Sequence, residues 1–189
     1  VEGATVGGSW TLDAGADGVI VPMVETAQQA AEAVAATRYA PRGVRSFGPL
    51  RTDLGVDPAA LQARVSVFAM VETAAGAAAI DEICAVEGLT GIYLGPADLA
   101  ISQGHAPNEA WDKPQVRDTM MAIHDAATAA GLISGVHAGT GSLGKQLAEK
   151  GFRMITLASE SQALRRGAAA HLAEATDRAP ERNSGNAYQ

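Results

Sequence analysis

The chain has 189 residues, 47% of them hydrophobic, which is enough for one domain with a sizeable buried core. Its formal net charge of −7, without a dense basic cluster, argues against nucleic acid as a partner. The single cysteine, Cys84, rules out an internal disulfide, and no apolar run is long enough to span a membrane. Because no basic segment precedes an apolar core at the N-terminus, we predict no signal peptide and a cytoplasmic protein.

Apolar runs alternate with Ala-rich amphipathic segments along the chain. The elements predicted in the first half are a strand over residues 18–24, a helix over 26–38, a loop over 41–49, a weak helix over 58–64, a strand over 65–72 and a helix over 75–86. Those predicted in the second half are a strand from residue 91 that ends in the segment 95–98, a short helix starting there, a helix over 114–130, a strand over 132–138, a helix over 142–150, a strand over 152–158 and a helix over 160–175. The pattern thus predicts five strands, each followed by a helix.

The five strands are apolar throughout, which is typical of a parallel sheet covered on both faces. An open doubly wound sheet and a (β/α) barrel both fit this pattern. Residues 10–15 look like the end of a helix whose preceding strand is missing, and a barrel usually needs at least about 200 residues. We therefore predict a (β/α)8 TIM barrel, truncated at its N-terminus to about the last five βα units. We expect residues 1–176 to form this domain and residues 177–189 to form a disordered polar tail.

Two acidic residues end neighbouring apolar runs. Glu72 closes the second predicted strand, and Asp98 follows Gly-Pro-Ala at the end of the third. The carboxyl ends of successive parallel strands lie side by side, at the edge where α/β proteins bind ligands. Two carboxylates there repel each other unless a proton or a cation lies between them, and a hard divalent metal is the simplest solution. The alternative is a salt-bridged or helix-capping pair.

Five stretches together resemble the HpcH/HpaI class II aldolases, which cleave 4-hydroxy-2-oxo acids with a divalent metal. They are LDAGADGVIVPMV at residues 12–24, ATRY at 36–39, GVR at 43–45, VET at 71–73 and GPADL at 95–99. They occur in the family's order and near its spacing, and the similarity extends over residues 12–175. The resemblance implies a (β/α)8 barrel, a hexamer or trimer whose last helix is exchanged between neighbours, and a role in aromatic or sugar-acid catabolism.

The resemblance also implies a ligand set. Glu72 and Asp98 match the family's metal ligands, for Mg²⁺, Mn²⁺ or Co²⁺. In the family, the pyruvate portion of the substrate chelates this metal, and its carboxylate accepts from backbone N–H groups at the start of the helix after Gly-Pro-Ala-Asp. Unpaired N–H groups at the start of a helix are a common binding site for anions. The predicted substrate-binding residues are Gly95, Pro96, Ala97 and Asp98.

Asp13 matches an aspartate that pairs, in the family, with a catalytic histidine from an early loop. That histidine, and an arginine that polarises the substrate oxygen, would lie upstream of Val1. None of the four histidines of this chain occupies the motif position. Asp13 is therefore the catalytic candidate, with a helix-terminal role as the alternative, and the fragment is expected to be inactive without the missing pair.

Two further polar residues have a structural and a functional interpretation. Arg45, between Gly43 and Gly48, either binds a substrate carboxylate or orders its loop by pairing with an acid, and we favour the structural role. His137 ends a predicted strand, and we interpret it as a satisfied core imidazole rather than a residue facing the site.

The resemblance predicts a metal-dependent aldolase that releases pyruvate and an aldehyde from a small 2-oxo acid through a metal-stabilised enolate. It also predicts a homo-oligomer without nucleic-acid or membrane partners. One alternative is a citrate lyase β-like CoA-ester lyase, although we find no basic patch for the CoA phosphates. The other is a truncated, non-catalytic barrel, which the absent histidine and arginine favour.

Overall fold

The computed structural model describes residues 10–176. Its five strands are β1 (Gly18–Val21), β2 (Ser66–Val71), β3 (Gly91–Leu94), β4 (Ile133–His137) and β5 (Met154–Thr156). Its helices are α1 (Ala27–Ala36), α2 (Pro58–Ala63), α3 (Ala74–Ala78), α4 (Ile80–Cys84), α5 (Pro96–Ser102), α6 (Pro114–Ala129), α7 (Gly141–Glu149) and α8 (Glu160–Ala175), with 3-10 turns at Thr52–Leu54 and Pro107–Glu109. The alternation of strands and helices predicted from the sequence is confirmed.

The strands form one parallel sheet in the order β1-β2-β3-β4-β5. Each strand therefore lies beside its neighbour in the chain, and the order never reverses. A doubly wound sheet reverses its strand order near the middle, so the described strands do not follow that alternative. Sequential, unidirectional pairing is the arrangement found in βα barrels.

Side chains alternate between the two faces of the sheet, and the hydrophobic core lies on one of them. Val67, Ala69 and Val71 of β2 belong to this core, together with residues of α4, α5, α6 and α7. The other face, here called the inner face, carries the intervening residues of each strand, including Phe68 and Tyr93. Phe68 and Tyr93 are also buried. The strand sequences are therefore apolar throughout, although the helices of the core lie on one side of the sheet.

Local signals set the helix boundaries. Thr26 begins α1 with a capping box, in which its side chain accepts from the Gln29 N–H and the Gln29 side chain accepts in return. The segment predicted as one helix over residues 75–86 is divided into α3 and α4 at Ala79, whose N–H donates to the carbonyls of both Ala75 and Gly76. This shared bond tightens the turn and interrupts the α-helical pattern.

The predicted loop over residues 41–49 contains no helix or strand. The predicted tail, residues 177–189, lies outside the described residues. No helix within residues 10–176 combines the length and the apolar character needed to cross a membrane.

Gly91 begins β3 where three strands come close together. A Cβ atom at this position would overlap the Ile133 carbonyl oxygen and would also lie 2.5 Å from the Phe68 ring. We expect Gly91→Ala to lower the free energy of unfolding by about 1–3 kcal/mol, because an overpacked site must shift backbone or rotamers. Urea unfolding followed by circular dichroism measures the change.

Gly141→Ala is the matched control, since a Cβ at this exposed position at the start of α7 meets nothing within 4 Å. Alanine in an exposed helix should leave the stability unchanged or raise it by up to about 1 kcal/mol. Equal effects of the two substitutions would contradict the packing described for Gly91.

Candidate metal and substrate site

The register of the sheet places a row of residues along its carboxyl edge. Val71 pairs with Leu94, and Leu94 pairs with Val136. These three side chains are fully buried in the core. The residues that follow them lie on the inner face, in one row: Glu72, Gly95 and His137. Neighbouring strands lie about 4.8 Å apart, so the first and last backbones of this row are about 10 Å apart, with only a glycine between them.

Glu72 leans over the glycine of this row. A Cβ atom at Gly95 would overlap the Glu72 carboxylate, so the carboxylate occupies room that any other residue would fill. Glu72 is 3% exposed, and its Oε1 accepts a hydrogen bond of 2.9 Å from the Met23 N–H. Met23 adopts a φ of 57°, a left-handed conformation that costs a non-glycine residue roughly 1–2 kcal/mol. This strained backbone directs its N–H to the acid.

The residue after Glu72 fixes the local backbone. The Thr73 side chain caps α3 by accepting from the Gly76 N–H at 3.1 Å. Its hydroxyl donates to Glu25 Oε1 at 2.8 Å, which ties the end of β2 to the loop after β1. The Glu-Thr motif thus combines an acid on the inner face with a cap for the helix that follows.

Asp98 lies in the first turn of α5, directly after β3, and is exposed. Burial raises the pKa of Glu72, the Met23 N–H opposes this, and the nearby Asp98 carboxylate raises that pKa further. The structure therefore brings the two predicted acids together. No side chain caps α5, so the N–H groups of Ala97 and Asp98 in its first turn are available to an outside acceptor.

The alternative interpretation of the two acids, a salt-bridged pair, finds no support. The ion pairs within the described residues involve other carboxylates, not Glu72 or Asp98. A buried carboxylate without a cationic partner is costly, and it takes up a proton or a cation where one is available. Residues 10–176 contain no group of three or more His, Cys, Asp or Glu side chains arranged for a metal. Among the described residues, Glu72 and Asp98 are therefore the two carboxylates that could hold a cation at this edge, and two ligands would leave positions for other oxygen atoms.

His137 does not have the enclosed environment expected of a core imidazole. It is half-buried at the end of β4, on the same face as Glu72. Its Nδ1 lies 2.8 Å from Thr156 Oγ1, and Tyr93 Oη lies 2.5 Å from the same oxygen. Neither Tyr93 nor Thr156 was singled out from the sequence. The sequence feature that could have identified Tyr93 is the alternation of side chains between the two faces of a strand. This alternation puts Tyr93 on the face opposite the core residues Ile92 and Leu94.

Asp13 lies away from the two acids. It precedes β1, and its Oδ1 accepts a 2.7 Å hydrogen bond from Arg45 Nη2. The Arg45 N–H donates to the Arg38 carbonyl just beyond the end of α1, a helix that runs back to the edge where the strands begin. The Arg45 guanidinium also lies 4.7 Å from the centre of the Tyr39 ring. This environment agrees with the structural role favoured for Arg45, while the catalytic role of Asp13 stays a prediction.

The other histidines lie elsewhere. His124 Nε2 lies 3.1 Å from the Lys150 carbonyl, and its ring stacks on Phe152. His171 lies on α8 with an exposed side chain, and His105 follows the end of α5. Within residues 10–176, His137 is therefore the imidazole that shares a face with Glu72.

Comparison with known proteins gives one consistent picture. The sequence model of the HpcH/HpaI aldolase/citrate lyase family matches residues 5–167. The chain is 39% identical over 167 residues to a hydroxypyruvate/pyruvate aldolase of Rhizorhabdus wittichii. This alignment covers 87% of this chain and 66% of the relative. It is also 34% identical over 154 residues to a 5-keto-4-deoxy-D-glucarate aldolase of Klebsiella pneumoniae. That alignment covers 79% of this chain and 59% of the relative.

A solved structure gives the same result. An HpcH/HpaI aldolase/citrate lyase family protein from Burkholderia cenocepacia superposes with a TM-score of 0.79 at 31% identity, over 89% of this chain and 68% of that one. The chain thus spans less than two thirds of the length of the two curated relatives.

The raised pKa of Glu72 has a consequence for stability. When a carboxyl has a higher pKa in the folded protein than in the unfolded chain, the folded protein becomes less stable as pH rises. The loss begins near the unfolded-state pKa and is complete above the folded-state pKa. Without added metal, we expect Glu72→Gln to raise Tm at pH 7 by about 2–4 °C, the shift that roughly 1 kcal/mol produces at this size. The gain should vanish towards pH 4, where Glu72 is protonated. Scanning calorimetry between pH 4 and 8 measures it.

The exposed Glu82 on α4 provides the control, because Glu82→Gln should leave Tm nearly unchanged over the same range. A Glu72→Gln protein that is less stable than its parent at pH 7, by the same amount at every pH, would contradict the electrostatic origin of the effect.

Proposed function

This chain belongs to the HpcH/HpaI aldolase/citrate lyase family, and we propose that its site cleaves a 4-hydroxy-2-oxo acid to pyruvate and an aldehyde with the help of a divalent metal. The observation that carries the proposal is the buried Glu72 carboxylate, which lies beside Asp98 and has no cationic partner among the described residues. The two relatives named as aldolases support the reaction class.

The residues present suit a hard cation. Glu72 and Asp98 would hold it through carboxylate oxygens, the ligand type that Mg²⁺ and Mn²⁺ prefer. The Met23 N–H occupies one lone pair of Glu72 and fixes its orientation, as the supporting hydrogen bonds of metal-binding carboxylates do. When bound, the cation stabilises the negative charge that develops on the 2-oxo oxygen during cleavage.

The chain's own groups would hold the substrate. In this proposal the carboxylate of the pyruvate portion accepts hydrogen bonds from the N–H groups of Ala97 and Asp98, at the uncapped start of α5. Pro96 has no N–H and fixes the first helical φ, so it sets the direction of this turn. Gly95 leaves the room that the Glu72 side chain occupies, because a Cβ atom there would overlap the carboxylate.

We further propose that the five described strands belong to a (β/α)8 barrel and that the protein is a cytoplasmic homo-oligomer. The sequential strand order supports the barrel. Exposed apolar side chains on α8 support the oligomer, because Leu164 and Leu172 are 75% and 64% exposed. They lie eight residues apart, on one side of the helix, as a surface that packs on another subunit requires.

The aldolase proposal, in contrast to the expectation of an inactive fragment, predicts pyruvate release that stops with EDTA and returns with Mn²⁺. We expect Glu72→Gln and Asp98→Asn each to lower kcat/KM by at least about 100-fold, the equivalent of several kcal/mol of lost charge stabilisation. A lactate dehydrogenase-coupled assay measures pyruvate, and electron paramagnetic resonance measures bound Mn²⁺. Because Asp118 is exposed on α6, Asp118→Asn is the matched control and should change neither.

Two results would refute the proposal. One is cleavage that persists in EDTA, and the other is Mn²⁺ binding that both site substitutions leave intact. A parent protein that binds Mn²⁺ through these carboxylates without releasing pyruvate would instead support the non-catalytic barrel.

The oligomer is tested by the double substitution Leu164→Glu, Leu172→Glu. If α8 packs on another subunit, burying two charges there opposes assembly, and light scattering coupled to size-exclusion chromatography should detect a smaller species. Gln115→Glu on the exposed side of α6 should leave the mass unchanged. A parent that elutes as a monomer would contradict the proposed assembly.

A further inference from the structure

Met23 combines an unfavourable backbone conformation with an exposed apolar side chain. Within residues 10–176 it is the one non-glycine residue with a positive φ, 57°. Its side chain is 52% exposed, although methionine is among the residues most often buried. Glycine would give the same N–H bond to Glu72 without the steric cost of a Cβ atom. The hydrogen bond alone therefore does not explain why a methionine stands at this position.

Two hydrogen bonds fix the segment after β1 to the end of β2. The Met23 N–H donates to Glu72 Oε1 at 2.9 Å. The N–H of the next residue, Val24, donates to the Met70 carbonyl at 3.1 Å, and the Val24 side chain is buried in the core. A strained residue persists where the surrounding structure determines its conformation in this way. Met23 therefore has a fixed position beside the Glu72 carboxylate.

The Met23 side chain lies within reach of a ligand that Glu72 holds. With an N–Cα bond of about 1.46 Å, the Met23 Cα lies at most about 4.4 Å from Glu72 Oε1. The side chain beyond this Cα is unbranched, with three rotatable bonds and a polarisable thioether, so it adapts to apolar groups of different shapes.

The order of the strands indicates which part of the substrate lies on this side. The proposed carboxylate site, at the N–H groups of Ala97 and Asp98, follows β3, and Glu72 follows β2. Met23 follows β1, on the side of Glu72 away from β3. A 2-oxo acid held by its carboxylate after β3 and by its 2-oxo oxygen near Glu72 is thus oriented along the edge, with its remaining carbons towards β1.

We propose that the Met23 side chain contacts the carbon chain of the substrate's aldehyde half and makes the site favour 4-hydroxy-2-oxo acids in which this chain is apolar. The inference rests on the proposed aldolase function and deepens it, because it names a residue that determines aldehyde specificity. The contact removes apolar surface of both partners from water, so each added methylene that Met23 covers strengthens binding about two- to fourfold.

A series of ligands of increasing length tests the contact without turnover. N-alkyl oxamates have the carboxylate and the adjacent carbonyl of a 2-oxo acid, with the alkyl group in place of the aldehyde half. Isothermal titration calorimetry of the Mg²⁺-loaded protein measures their Kd as the alkyl group grows from methyl to butyl. We expect Kd to fall about two- to fourfold per methylene in the parent. In Met23→Gly, Kd should stay nearly constant along the series.

The increment per methylene distinguishes the side chain from the backbone. Met23→Gly keeps the N–H that bonds Glu72, and glycine adopts this φ without strain, so the variant is expected to fold. A loosened backbone would weaken every ligand by the same factor and leave the increment intact. Met23→Leu keeps an apolar side chain and should retain most of the increment. An increment that persists in Met23→Gly, or one that is absent from the parent, would overturn the inference.

Val56→Ala is the matched control for the loss of an exposed apolar side chain. Val56 is 76% exposed and lies just before α2, at the edge where the strands begin. We expect this variant to show the same increment per methylene as the parent. An increment that is lost equally in Val56→Ala and Met23→Gly would contradict a contact at Met23.

Methyl NMR locates the contact directly. With ¹³C-labelled methionine methyl groups, the Met23 signal is assigned by its loss in Met23→Leu, and the signal of Met120, buried under α6, is the internal reference. We expect N-butyl oxamate to move the Met23 signal and oxamate itself to move it much less. Equal shifts with the two ligands, or no shift with either, would overturn the inference.

Turnover separates this inference from the proposed function. In the reverse reaction, Mn²⁺-loaded protein adds pyruvate to aldehydes from acetaldehyde to pentanal, and residual pyruvate is measured with lactate dehydrogenase. We expect kcat/KM to rise with chain length in the parent and to stay nearly flat in Met23→Gly. EDTA-sensitive turnover with a flat series in the parent would contradict only the role of Met23. Turnover that persists in EDTA would contradict the proposed function itself.

Discussion

The absence of a side chain at Gly95 is the constraint on which the candidate site depends. The in-register strands bring Glu72, Gly95 and His137 to one edge, and the Glu72 side chain and the Met70 methyl group fill the room over the glycine. A Cβ atom at this position would overlap the Glu72 carboxylate, so any larger residue would displace it. A single missing methyl group thus allows Glu72 to lie buried at this edge beside Asp98.

The two acids have different environments, and this difference has a physical role. Glu72 is buried and oriented by the Met23 N–H, whereas Asp98 is exposed at the start of a helix. Burial raises the pKa of Glu72, so the ionised carboxylate carries an electrostatic cost that a bound cation would reduce. The strained φ of Met23 belongs to the same arrangement, because stability is given up where a binding group must be held in place.

Much of this arrangement was visible in the sequence. Apolar runs ended by an acid identified β2 and β3, and the rule that parallel strands align their carboxyl ends brought Glu72 and Asp98 together correctly. The chain of Tyr93, Thr156 and His137 was not found, because its members lie up to 63 residues apart and each looks ordinary in its own strand. His137 was interpreted as a core imidazole, since the sequence does not reveal which face a strand-terminal residue occupies when the register is unknown.

The sequence by itself determined the alternation of strands and helices and the two acids at the strand ends, because period and composition act locally. Only the tertiary structure decided that Asp13 pairs with Arg45 near the opposite edge and that His137 shares a row with Glu72. Both facts depend on register and on the path of connecting segments, which are settled when distant strands pair. Hydrogen bonds between strands select that register, together with the fit of side chains around Gly91, Gly95 and Gly135. No local sequence pattern contains this information.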